Sequence, residues 1–70
     1  MLPLSMANKG ETHIIRKISG DNKVRQHLSE LGFVVDEELT IVNEMAGNLI
    51  VKVKDTRIAL GIDLAKRIFI

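Results

Sequence analysis

The sequence predicts a mostly-β fold, a small barrel of about five short strands with one α-helix inserted after the first, and three observations carry that reading. Nine Ile and six Val stand against four Ala, and β-branched side chains keep more of their freedom on a pleated surface than in a helix. Apolar and polar residues alternate through 39–54, as a half-buried strand requires. Only Asp21 to Leu31 carries a long apolar stripe at helical spacing.

Taken in order, Lys9-Gly10 turns the chain into a first strand, Thr12 to Ile18, which Gly20 ends. Ile14 and Ile15 are adjacent and cannot both face inward, so a bulge or a second covering element is expected there. Asp21 then offers a carboxylate to the free N–H groups of a helix. Val24, Leu28 and Leu31 recur on one face of that helix, and Gly32 supplies the left-handed residue that ends it.

For the following hairpin the pattern selects a three-residue loop, Ala46-Gly47-Asn48. Met45 then faces Leu49, Asn43 faces Val51 and Ile41 faces Val53, which gathers Leu39, Ile41, Met45, Leu49, Val51 and Val53 on one side. Glu38, Thr40, Glu44, Lys52 and Lys54 take the other side, with Val42, opposite Lys52, and the diagonal Ile50 as apolar exceptions. Asp55 turns the chain into Thr56 to Leu60, with Ile58 and Leu60 inward and Arg57 and Ala59 outward. Gly61 to Lys66 reads as one helical turn and Arg67 to Ile70 as a short last strand. Open edges are a liability at this size, so closure is expected, as an SH3-like barrel with an inserted helix; the OB-fold is the topological rival.

Length and charge bound the function. Seventy residues form one domain, 1–70, and ten Lys plus Arg against nine Asp plus Glu give a net charge of +1, without the basic footprint of a nucleic-acid binder. With no cysteine, disulfides, thiolate catalysis and Cys-based metal sites are excluded. No segment approaches the ~18 apolar residues of a membrane helix, and Met1 to Met6 lacks the pattern of a signal peptide. The expectation is a cytoplasmic protein without direct membrane insertion. A core of this size supplies only ~3–5 kcal/mol, which leaves little for strained catalytic geometry.

The candidate chemistry is sparse. His27 and Glu30, three residues apart on the helix, make half a metal site, and no third ligand accompanies them. Ser5, Ser19 and Ser29 lie on no sharp glycine-flanked turn, and the five glycines are too far apart to wrap a phosphate. Phe33 and Phe69 are the only aromatic residues, too few for a proline-rich peptide or for base stacking. No catalytic, cofactor-binding or metal-binding residue is therefore assigned, and the chain is not expected to be an enzyme. The expected partner contact is Val42 and Ile50, two neighbouring apolar side chains in a charged rim, with Arg57 beside them. A nucleic-acid surface on Lys52, Lys54 and Arg57 is the alternative.

Several segments together resemble the FeoA family: Gly10-Glu11, the run His27-Leu28-Ser29-Glu30-Leu31-Gly32-Phe33, Glu38-Leu39-Thr40-Ile41-Val42, and Ala65-Lys66-Arg67-Ile68-Phe69-Ile70. The resemblance spans Leu4 to Ile70. It departs at Val35-Asp36, where many members have Pro-Gly, and at Gly61, where many have a basic residue. It implies a small cytosolic accessory protein of bacterial ferrous iron uptake, docking on and modulating a FeoB-like membrane GTPase transporter, with no cofactor of its own. The same fold recurs as the terminal domain of iron-dependent repressors, so a stand-alone relative of that domain is the other reading.

Overall fold

In the computed structural model, which describes residues 1–70, a single 3₁₀ turn (Leu4–Met6) precedes β1 (Thr12–Ile14), β2 (Lys17–Ile18) and α1 (Asn22–Glu30). Then follow β3 (Glu38–Met45), β4 (Asn48–Val53), β5 (Thr56–Gly61), α2 (Ile62–Ala65) and β6 (Ile68–Phe69). The expected first strand is thus two strands. β1 pairs with β3 while β2 pairs with β6, both antiparallel, and the break falls where two isoleucines compete for one inward position. Ile15 takes the core; Ile14 stays on the sheet opposite Glu38, 37% exposed.

The helix follows its sequence signals. Asp21, in an extended conformation, accepts a hydrogen bond from the Val24 N–H at 3.0 Å, and Gly32 follows the C-cap Leu31 at φ 104°. Leu28 is completely buried, with Val24 and Leu31 partly buried against the same core. A residue missing from the expected core also lies there: Leu4, ahead of the first strand, has no exposed surface.

The hairpin differs from its expected register. Its turn has two residues, Ala46 and Gly47, both left-handed at φ 52° and 80°, so Met45 stands opposite Asn48 and Glu44 opposite Leu49. A bulge then intervenes: Asn43 faces Ile50 and Ile41 faces Val51, which leaves Val42 as the extra residue on β3. The shorter turn and the bulge each shift the pairing by one residue in the same direction. Beyond Val42 every partner is displaced by two, a shift that preserves faces. Leu39, Ile41, Leu49, Val51 and Val53 are accordingly buried as expected, and only Met45, on the turn side of the bulge, is turned outward, 61% exposed. Lys52 pairs with Thr40, and the expected pairing of Val42 with Lys52 does not occur.

The second hairpin turns through Lys54 and Asp55, at φ 49° and 63°, and its strand has the expected faces: Leu60 buried, Ile58 partly buried, Arg57 and Ala59 exposed. Gly61, the N-cap of α2, has an ordinary φ of −62°, so its backbone does not demand glycine. The strands form a small SH3-like barrel built as two sheets, one ordered β1-β3-β4-β5 and one of β2 and β6. It is not closed into a single ladder, because β5 pairs only with β4.

Candidate docking face

Every buried residue of the chain is apolar, and no buried side-chain nitrogen or oxygen is left without a partner. All polar chemistry therefore lies at the surface. On the outer face of the four-stranded sheet register fixes a polar row across the strands: Thr12 opposite Thr40, Thr40 opposite Lys52, and Lys52 opposite Arg57. The Thr12 and Thr40 hydroxyls share a hydrogen bond at 2.9 Å, which pins the β1 end of the row. Toward the first hairpin turn lies a second row, Asn43, Ile50 and Ala59.

At the other end of this face a recess of about 280 Å³ is lined by Glu37, Glu38, Thr40, Lys52, Lys54 and Asp55. Lys54 approaches Glu37 to 3.6 Å within it. Three carboxylates and two ammonium groups line the recess, so it presents no single sign of charge. That mixture suits a polypeptide surface with charges of both signs better than a polyanion.

The expected contact residues share this face in part. Ile50 is half-buried in the row adjoining Lys52 and Arg57, and Arg57 is exposed on the outermost strand. Val42 is half-buried at the bulge, one residue from the partner of Ile50. Across the bulge-free β4–β5 ladder Lys52 stands opposite Arg57, and Ala59, which is outside the expected contact, stands opposite Ile50; the bulge at Val42 sets only the pairing of Lys52 with Thr40. Nothing in the sequence pattern marks that bulge except the neighbouring apolar residues Ile41 and Val42.

The titratable groups outside this face are modest. Glu11 accepts from the His13 ring at 3.1 Å and from the Asn8 N–H at 3.0 Å. The hydrogen bond from His13, then that from Asn8, holds its carboxyl below the usual carboxylate range. His27 and Glu30 are both exposed on α1, and nowhere do three His, Cys, Asp or Glu side chains converge as a metal site would need. No helix is long and apolar enough to cross a membrane. The face offers hydrogen bonds, charge and a small apolar contact, the materials of binding.

Known proteins share both the sequence and this architecture. A Methanocaldococcus jannaschii relative named as an Fe(2+) transport protein A is 31% identical over 70 residues, covering 100% of this chain and 85% of that protein. The crystal structure of an iron uptake regulatory protein, FeoA, superposes with a TM-score of 0.88 at 31% identity, over 96% of this chain and 89% of the other. Stenotrophomonas maltophilia FeoA, an SH3 domain protein complexed with zinc, gives 0.84 at 29% identity, over 99% and 88% of the two chains. A manganese-dependent transcriptional repressor gives 0.84 at 25% identity, over 94% of this chain but 38% of the repressor. The family model for the FeoA domain matches residues 2–70, and the chain belongs to the FeoA family.

Proposed function

We propose that this chain is a non-catalytic, cytoplasmic accessory protein of ferrous iron uptake that docks on a FeoB-like GTPase transporter and modulates it, with Val42, Ile50 and Arg57 in the contact. The observation that carries the reading is the match of the FeoA domain over residues 2–70, together with a relative of nearly equal length named for Fe(2+) transport. The surface supports the reading: half-buried Ile50 beside the polar row of Thr40, Lys52 and Arg57 gives a small apolar spot in a polar rim. The alternative nucleic-acid surface on Lys52, Lys54 and Arg57 is weakened by the carboxylates of Glu37, Glu38 and Asp55, which share the recess with two of those cations, Lys52 and Lys54.

Affinity capture with the tagged chain from its native cell, paired with ferrous uptake in a deletion strain, tests the proposal. The expected result is recovery of the transporter and reduced uptake. Unchanged uptake with no co-purifying GTPase would sink it, and steep salt-dependent binding of RNA or DNA would favour the nucleic-acid reading.

A further inference from the structure

The outer strand β5 carries an unused hydrogen-bonding edge. Its two-residue turn, Lys54-Asp55, makes Val53 and Thr56 the closing pair of the hairpin, which exchanges main-chain hydrogen bonds. From that pair the antiparallel ladder alternates, so Ile58 and Leu60 bond to Val51 and Leu49, while Arg57 and Ala59 direct their N–H and C=O groups away from β4. No other strand lies on that side, and no residue of β5 exchanges a main-chain hydrogen bond with a loop or turn. Protective devices are few: the strand contains no proline and pairs with β4 without a bulge, leaving Arg57 as its one charge.

The charge at this edge indicates the kind of segment that fits. Lys52 and Arg57 stand directly opposite one another at a non-hydrogen-bonded position, the closer of the two antiparallel spacings, where like charges repel. Neither takes part in an ion pair. Glu37, Glu38 and Asp55 line the recess on the Lys52 side, and Arg57 is not among the residues of that recess. Beside Arg57 on the same face, Ala59 is exposed next to half-buried Ile50, which leaves room over a small apolar spot.

We infer that the β5 edge receives an extended segment of a partner protein as an additional strand, with a carboxylate side chain beside Arg57 and an apolar one beside Ala59 two positions along. This rests on the proposed function only for the statement that another polypeptide docks on this face. Main-chain hydrogen bonds at Arg57 and Ala59 supply the affinity, and the alternating side chains supply the selectivity. A second copy of the chain is the poorer occupant, because antiparallel pairing of two β5 edges brings two Lys52–Arg57 pairs together.

The test uses the full chain and a blocked peptide, acetyl-Thr-Val-Thr-Glu-Thr-Val-Thr-Val-Thr-amide, with a control in which Lys replaces Glu. Amide NMR and hydrogen exchange should show the Arg57 and Ala59 amides slowed by the Glu peptide, which binds at least about tenfold tighter than the Lys peptide. Arg57→Glu should reverse that preference and Arg57→Gln abolish it; both replace an exposed side chain, and an unchanged amide spectrum elsewhere confirms folding. The inference is overturned by the absence of protection up to about 1 mM peptide, by equal affinity for the two peptides, or by a dimer that already protects the edge without peptide. The transporter capture separates the two readings. Transporter recovered with β5 amides still exchanging freely refutes the edge and leaves the proposed function, whereas peptide binding without transporter recovery does the reverse.

Discussion

Leu2 and Ile70 exchange two main-chain hydrogen bonds, the Leu2 N–H donating to the Ile70 carbonyl at 3.0 Å and the Ile70 N–H to the Leu2 carbonyl at 2.9 Å. Pro3 forms a bridge with Phe69 beside them, so residues 2–3 line the free side of β6 and deliver Leu4 into the core. Leu4→Ala is expected to cost ~2–5 kcal/mol in a denaturant titration. A loss under about 1 kcal/mol would mean that the N-terminal segment does not seal the core as described.

Leu28 is the only residue of α1 that is completely buried, and it fixes the helix to the barrel with Val24 half-buried against the same core. Leu28→Ala should likewise cost ~2–5 kcal/mol, comparable to the whole stability of so small a domain. Thermal melts of the two variants separate the contributions of the helix and of the N-terminal segment. A Leu28→Ala melt indistinguishable from that of the parent would contradict the packing.

Val34 accepts a hydrogen bond from the Glu37 N–H at 3.1 Å across a turn in which Asp36 holds φ 75°, the geometry of a type II turn with a non-glycine third residue. The Val35 N–H donates to no protein group. Val35→Pro combined with Asp36→Gly should therefore raise stability by ~0.5–1 kcal/mol, by presetting φ at the second position and relieving strain at the third. A decrease in melting temperature would show that the Val35 side chain or N–H has a use in the fold.

Glu11 gives the acid side of the stability profile a definite sign. Its folded carboxyl titrates below its ordinary value of 4.5, chiefly through the hydrogen bond with His13. The stabilisation is fully present above that ordinary value and is lost as pH falls through the lower folded value. Glu11→Gln should flatten the fall in stability below pH 4.5 and leave the shape of the profile above it unchanged. An unaltered acid limb would show that the contact with His13 does not persist in solution.

The elements with local chemical signals were legible in the sequence. Asp21 and Gly32 bound α1 because a carboxylate cap and a left-handed residue are needed there whatever the barrel does. Ile14 and Ile15 announced a disruption, although only the tertiary structure decides that it is a change of sheet. The first hairpin turn was misplaced because Ala46, an uncommon residue at positive φ, occupies a position where Asn or Gly is usual, while Asn48 sits within the strand. The bulge at Val42 then restored the correct faces, so the pattern gave no warning of the displaced partners. Leu4 was missed because a lone leucine in a short irregular segment has no periodicity to show where it packs.

The proposed docking face was legible residue by residue and not as a surface. Ile50 and Arg57 stood out as an apolar exception and an outward cation, but their neighbours Ala59 and Lys52 follow from cross-strand register. That register is set by the two-residue turn at Lys54-Asp55, and alternation of apolar residues does not fix a turn length. The recess beside Lys52 draws residues from β3, β4 and two turns, and no short motif encodes it.

The most direct measurement of docking is capture of a FeoB-like transporter from native membranes by the tagged chain, compared with capture by Ile50→Glu and Arg57→Glu. Melting temperatures of the three proteins are recorded alongside. Arg57 is exposed and Ile50 half-buried on the outer face, so both variants should fold, and both should lose at least about tenfold in recovered transporter. Equal recovery by all three proteins, or no recovery by the parent chain, would contradict a docking role for this face.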